Sequence, residues 1–415
     1  MNNIILYYIT TLEKLRKFVS LLGPSGDAFY VASKSRLSAN INSWKQHLPQ
    51  VRPYYAVKCN PDPMLMKWLK EAGVGFDCAS GMELEKAAAL FETPELFSKS
   101  SIFANPCKPP RDLRTASQLQ SGPTVVDSIE EVQKLADVNW TQGSLIRIAV
   151  DDQGSKMPFS KKFGAAVADI PKIQSIARSL GQKIHGISFH VGSGCQDLTQ
   201  YTKAIQMALL SLSSTKETKI VDLGGGFEVE TFHQAARFIQ DSIKAVPDTL
   251  PIQWIAEPGR FMATDFQDLF VPVIGKKPST DGKGWRYTID ESLYGQFSCI
   301  PFDRAVPKWL RIQSADEIKR KTTNRKRGPG VLFGRTCDSV DMIAQSDHME
   351  ELEVGDWLWF PKMGAYTSVT ATEFNGFPKP KVMYTDESLP HPIFMGFEPW
   401  PTKITTVSHV VVPKN

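Results

Sequence analysis

Between residues 51 and 259 the chain alternates short apolar runs with longer amphipathic stretches, eight runs in all. The runs are PYYAVKCN, VGFDCAS, SIFANPC, TVVDS, LIRIAVDD, GISFHVGS, IVDLGGGF and IQWIAEPGR. Near-continuous apolar runs of this length fit strands buried on both faces. Between them lie PMLMKWLKEAG, MELEKAAALF, RDLRTASQLQ, IEEVQKLADV, VADIPKIQSIARSLG, TQYTKAIQMALLSL and FHQAARFIQDSIKAV. In the fifth of these, Ile170, Ile173, Ile176 and Ala177 recur at helical spacing and form one apolar face. Buried strands joined by helical crossovers give an α/β protein. A doubly wound open sheet shows a similar alternation, but a count of eight favours a closed (β/α)8 barrel of the TIM type.

After Arg260 the texture changes. LFVPVIGKK, WRYTID, GVLFG, DWLWFP, YTSVTATEF and KITTVSHVVV are separated by turn-rich segments with little helical period. This pattern predicts a mostly antiparallel β domain. The expected organisation is an N-terminal segment over 1–30 that partly joins the β domain, a barrel over 31–262, and a β domain with substrate- and dimer-contact loops over 263–415. The early run AFYVAS either joins the β domain or leads into the barrel. The proline-rich stretch 378–415 reads as a loosely held tail.

Hydrophobic residues make up 42% of the 415 and charged residues 22%, enough apolar material for a large core. A net charge of +4 is too mild to argue for nucleic acid. The basic run KRKTTNRKR (319–327) has no interleaved aromatics and reads as a solvated loop. No apolar run reaches membrane-spanning length, and the apolar start of the chain lacks a signal peptide's basic region and cleavage site. The six cysteines form no CxxC pair and no histidine stands at zinc-ligand spacing, so a structural metal is not expected. Scattered cysteines fit a reducing, cytoplasmic setting.

A barrel carries its active site where its strands end. At those ends stand Lys58, Asp77, Asn105, Arg147, His190, the run Gly224, Gly225 and Gly226, and Glu257 with Arg260. A lysine between apolar YYAV and CN is poorly hydrated, which lowers the cost of the neutral amine that attacks an aldehyde. Adjacent glycines let backbone amides approach an anion closely.

From YAVKCN onward the chain resembles the eukaryotic-type ornithine decarboxylase family, the barrel class of pyridoxal-phosphate enzymes. The resemblance runs in family order through FDCAS, FANPCK, HVGSGC, DLGGGF, AEPGR, TCDSVD, MGAYT and FNGF, over about residues 28–377. It implies that Lys58 carries pyridoxal 5'-phosphate as a Schiff base. The phosphate would meet Gly224, Gly225, Gly226, Ser193, the Gly259–Arg260 step and Tyr366. Glu257 would keep the pyridine nitrogen protonated, and His190 would stack on the ring. Asp77, Arg147 and Glu83 would orient Lys58 or the cofactor hydroxyl. The structural alternatives are a salt bridge to Arg260 for Glu257, a core position for His190 and a helix-stabilising role for Glu83.

Cys337 and Asp338 resemble a pair that family members insert into the other subunit's site, the cysteine steering reprotonation at the α-carbon. That implies a head-to-tail homodimer with shared sites; a buried free cysteine is the alternative. Arg335 stands where most relatives carry proline. The family's D-G-[VL]-Y-G segment, aligned on Tyr294 and Gly295, places Glu291 where an aspartate binds the substrate's distal amine, with Asp290 before it and Ser292 replacing the glycine. Asp338 and Phe374 are the other expected substrate contacts. Glutamate is one methylene longer than aspartate, a difference able to shift preference among ornithine, lysine and arginine by roughly 1–3 kcal/mol. Phe302 also departs from the tyrosine of ornithine-using members. The expected reaction is L-ornithine to putrescine and CO2. Arginine or lysine as substrate, another reaction of the same barrel class, and a non-catalytic antizyme-inhibitor-like relative are the alternatives. An antizyme-type regulator is a possible partner.

Overall fold

A computed structural model of the chain describes residues 2–212, 219–280, 282–314, 317 and 325–389, with side chains from residue 12 onward. All eight expected runs form strands: Val51–Ala56, Gly75–Cys78, Ser101–Phe103, Thr124–Val126, Ser144–Arg147, Ile184–Ser188, Lys219–Asp222 and Ile252–Ala256. They pair in parallel in chain order and close into a barrel, with Trp254 opposite Val51. Successive side chains of a strand point to opposite faces, and here they feed two cores. Tyr54, Ile102, Val125, Leu145 and Ile255 pack together inside the barrel. Tyr55, Phe103, Val126, Ile146, Ile187 and Ala256 belong to the larger core under the helices.

Each expected crossover helix is present: Pro63–Glu71, Gly81–Ala88, Pro110–Gln118, Ile129–Asp137, Ile170–Ser179, Thr199–Ser211 and Phe232–Lys244. One more, Lys34–His47, precedes the first barrel strand. Leu37, Ile41 and Trp44 give it a helical apolar stripe that the sequence reading passed over. Ser33 caps it by accepting a hydrogen bond from the Arg36 N–H. Among the described residues no helix is long and apolar enough to cross a membrane.

The second domain is a mostly antiparallel sheet in the order Leu310–Ile312, Trp357–Phe360, Gln267–Pro278, Trp285–Ile289, Arg327–Phe333 and Met342–Glu350. The early strand Phe29–Ser33 pairs antiparallel with Gln267–Pro278, so AFYVAS lies in this sheet rather than leading into the barrel. Its other edge takes Lys381–Thr385 in parallel, which ties down part of the proline-rich stretch read as a loose tail. KITTVSHVVV lies outside the described residues. YTSVTATEF is not a strand but a turn-rich loop, in which Thr367 and Thr370 turn their hydroxyls onto the carbonyls of Met363 and Tyr366. Of the basic run, 319–324 lies outside the described residues. Arg325 is not solvated as expected: it pairs with Glu317 and Asp356.

Two sets of contacts fix the domains against each other. Arg36, on the extra helix, reaches Asp268 of the sheet at 2.8 Å, both side chains buried. Trp359 Nε1 and the Lys362 N–H donate to the same carboxylate. Nearer the barrel mouth, Asn60 Nδ2 donates to the Gly364 carbonyl at 2.9 Å and the Tyr366 N–H to the Cys59 carbonyl at 3.0 Å. The turn carrying Lys58 is thereby held from both domains.

Candidate active site at the barrel mouth

Strand Val51–Ala56 ends in a single tight turn, Val57–Cys59, which presents Lys58 at the mouth. Its Nζ lies 3.2 Å from Asp77 Oδ2, on the neighbouring strand. Burial does press toward the neutral amine, as the sequence argument expects. Yet Asp77, with Tyr366 and Glu257 behind it, outweighs burial and holds the ammonium above its ordinary range. The other Asp77 oxygen is buried with no partner.

Behind this pair lies an acid the sequence reading missed. Asp222 ends its strand as Lys58 and Asp77 adjoin the ends of theirs, fully buried. Its Oδ1 accepts from the Gly224 N–H at 2.9 Å, while its Oδ2 is buried with no hydrogen-bond partner among the described residues. Burial, then the charges of Asp222 and Asp77, push Glu257 well above the usual carboxylate range; burial moves Asp222 up only to about 6. Of the two, Glu257 is driven further toward its protonated form. Glu257 is not a partner of Arg260, whose guanidinium forks onto Asp303 at 2.7 and 2.8 Å. Arg147 closes the back of the cluster over the Phe163 ring, 5.1 Å away. Burial lowers its pKa despite Glu257, Asp127, Asp222 and Asp77.

His190 accepts the Gly192 N–H on Nδ1 at 3.0 Å. Burial, with Arg147 and Lys58, pushes its pKa well below the ordinary value. The ring is therefore neutral with its proton on Nε2, and Phe159 packs edge-on against it. Gly225 and Gly226 line the same cleft, with Ser193, Gly259, Arg260 and Tyr366. A Cβ on Gly225 would stand 2.8 Å from His190 Nε2, and one on Gly226 2.7 Å from the Gly192 carbonyl. No side chain fits at either. Arg260 NH2 also donates to Ser193 at 3.0 Å, and its Nε is buried without a partner. The Arg260 guanidinium lies 4.9 Å from the Tyr366 ring.

These residues fit a phosphorylated pyridine aldehyde. Gly225 and Gly226 bring backbone to the cleft with no side chain between it and a bound anion, burial pushes Glu257 toward its protonated form, which suits a basic ring nitrogen, and Lys58 is the amine. Glu83 takes the structural alternative: its carboxylate accepts the Ala79 N–H at 2.7 Å while its own N–H donates to Ser80 Oγ, a capping arrangement at the start of Gly81–Ala88.

Glu291, Cys337, Asp338 and Phe374 do not line the cleft of this chain. Cys337 is exposed rather than buried. Asp338 accepts from the Tyr294 hydroxyl, and Phe374 stacks on the Tyr294 ring at 4.3 Å. Glu291 departs furthest from its expected place. It is fully buried, and its Oε2 accepts the N–H groups of Ser292 and Gln296, both at 2.9 Å. Burial pushes it up to about 7, against those two amides and Arg335, which pull it down. Because the folded value lies above the unfolded one, Glu291 favours folding at low pH. That stability is lost as pH rises from the ordinary carboxylate range through about 7. Glu291→Gln, which cannot ionise, should be more stable than the wild type at pH 8 by up to about 3 kcal/mol, and no more stable near pH 4. Melting temperatures across that range check this; a pH-independent difference would refute it.

Asp303 and Phe159 also escaped the sequence reading, since both come from loops with no periodic signal. Asp222 carried a usable one, an acid at a strand end two residues before the glycine run.

Residues 34–264 match the family described as pyridoxal-dependent decarboxylase, pyridoxal binding domain. An ornithine decarboxylase of Schizosaccharomyces pombe is 35% identical over 91% of this chain and 88% of its own length. An antizyme inhibitor 2 of Xenopus laevis is 34% identical over 86% of this chain and 81% of its own. Among solved structures, the arginine decarboxylase of Paramecium bursaria Chlorella virus bound to agmatine superposes with a TM-score of 0.82 at 33% identity. That match covers 90% of this chain and 100% of the viral one. With the family matched over more than half the chain, and the fold and mouth residues as described, the chain belongs to the pyridoxal-dependent decarboxylases and is a carboxy-lyase that uses pyridoxal 5'-phosphate.

Proposed function

We propose that the protein decarboxylates L-ornithine to putrescine and CO2. The observation that carries this reading is the Lys58–Asp77 pair set beside the buried Glu257 in a glycine-lined cleft. Pyridoxal phosphate, when bound, supplies an aldehyde that condenses with amines and a ring that withdraws the electron pair left behind by CO2. The remaining roles belong to the chain. Lys58 offers the amine, and Asp77 takes up the charge of its ammonium. Glu257, pushed toward its protonated form by burial, would supply a proton to a basic ring nitrogen, and the ion pair so formed would suit a buried carboxylate better than its neighbours Asp222 and Asp77 do. His190, neutral and fixed by Gly192, presents a flat face rather than a charge. The amides near Gly225 and Gly226, with Ser193 Oγ, Tyr366 and Arg260, hold the phosphate; Asp303 steadies Arg260.

Support for ornithine comes from the family-wide sequence likeness, which covers nine-tenths of the chain in the fission-yeast enzyme. Arginine is the second reading, favoured by the superposition on the viral arginine decarboxylase. Kinetics of CO2 release on ornithine, arginine, lysine and diaminopimelate decide between them. Ornithine should have the highest kcat/KM; a higher value for arginine would transfer the assignment, and no release from any of them would end it.

The exposed Cys337 and the Tyr294–Asp338 pair support a second proposal, that they complete the site of another copy in a homodimer. The free thiols, buried or exposed, support a reducing, cytoplasmic setting.

A further inference from the structure

Arg335 joins three segments of the second domain through its backbone and its guanidinium. Its N–H donates to the Glu291 carbonyl at 3.0 Å. Its NH1 donates to Asp290 Oδ1 at 3.0 Å and its NH2 to the Pro378 carbonyl at 3.1 Å. NH2 also lies 3.8 Å from Glu291 Oε1, an oxygen with no hydrogen-bond partner of its own. The guanidinium packs 4.5 Å from the Phe377 ring. With only 11% of the side chain exposed, these contacts are sheltered from solvent screening.

The loop that follows is held from its other side by Asp341. That carboxylate accepts from the N–H and hydroxyl of Thr336 and from the Leu293 N–H. Gly334 makes room for it, since a Cβ there would stand 2.3 Å from both Asp341 oxygens. Asn375 Oδ1 receives the Cys337 N–H at 3.1 Å. Arg335 is thus the residue whose side chain joins the 290–291 step, the 377–378 segment and the start of the Cys337–Asp338 loop.

We propose that Arg335 is a positioning residue that locks the Cys337–Asp338 loop to the Asp290–Glu291 step, so that the loop is presented in one fixed pose on the chain that carries it. The arginine ties the loop to the acidic step through two ion pairs, to Asp290 and Glu291, and its backbone N–H, and to the 377–378 segment through the Pro378 carbonyl and the Phe377 ring. The kinetic consequence rests on the proposed decarboxylation; the clamp itself does not.

The test compares wild type, Arg335→Gln and Arg335→Lys as purified, cofactor-loaded protein. With the preferred basic amino acid, Arg335→Gln should raise KM about tenfold while kcat falls by less than about threefold, the scale of losing one hydrogen-bonded charge. Arg335→Lys should recover most of the loss. Visible cofactor absorbance should be the same in all three. Independently of turnover, alkylation of Cys337 by iodoacetamide, followed peptide by peptide, should be several-fold faster in Arg335→Gln, with exposed Cys107 unchanged. If the wild type releases CO2 from no basic amino acid, the proposed reaction fails and the alkylation rates alone decide the clamp. Equal Cys337 rates in wild type and Arg335→Gln would overturn it. So would a parallel acceleration at Cys107 or a loss of cofactor absorbance, either of which reports general unfolding.

Discussion

Lys58→Ala is expected to lower turnover by roughly 10³-fold or more and to abolish the visible absorbance of cofactor linked to the chain, because among the described residues Lys58 is the one lysine that lines the cleft. Two effects are entangled in this variant. It removes a nucleophile, and it removes the cation that stands 3.2 Å from Asp77, beside the buried acids Asp222 and Glu257. Lys58→Arg separates them. Arginine keeps a positive charge beside Asp77 but does not lose a proton at usable pH and cannot condense with an aldehyde. If the amine is what matters, the two variants are equally inactive, while Lys58→Arg keeps more of the wild-type thermal stability. Near-normal turnover in either variant would remove Lys58 from the chemistry.

The Lys58–Asp77 pair also shows how far a sequence can be read. The barrel was legible because eight buried strands must be apolar nearly throughout and their crossover helices must carry a stripe, so periodicity alone exposes both. Strand ends then located Lys58, Asp77, Arg147, His190 and Glu257, since a barrel turns those ends to one face. What stayed hidden is pairing. Burial and hydration suggest a neutral Lys58, whereas the opposing charge of Asp77 comes from a different strand and reverses the direction. Glu83 looks like a site acid by position, yet its partner is the Ala79 amide four residues back. Glu291 looks like a substrate contact by alignment, yet it turns into its own loop, where the Ser292 and Gln296 amides satisfy one of its oxygens. Arg260 appears free to bind an anion until Asp303, supplied by the other domain, takes both ends of its guanidinium. Each of these depends on which atoms meet across the tertiary structure, and no local pattern reports that.

The same separation between barrel and loop motivates the second large effect. Lys58→Ala and Cys337→Ala subunits, each nearly inactive alone, should recover about one quarter of wild-type activity when co-refolded or co-expressed in equal amounts. The arithmetic follows from symmetry. Random pairing makes half of the dimers mixed. In a mixed dimer one site joins the altered barrel to the altered loop, and the other joins an intact Lys58 to an intact Cys337. Half of the dimers with one of two sites working gives a quarter. Complementation needs Cys337 to act on the other copy's cleft. The observations behind that requirement are that Cys337 is exposed and lies outside the lining of its own chain's cleft, while the loop holding it is braced by Arg335 and Asp341 rather than left loose. A loop built to be rigid and exposed, and carrying a thiol, has its best use against a surface supplied from outside the chain. Were each site complete within one subunit, mixing would yield only the average of the two residual activities, and the shared-site reading would be lost.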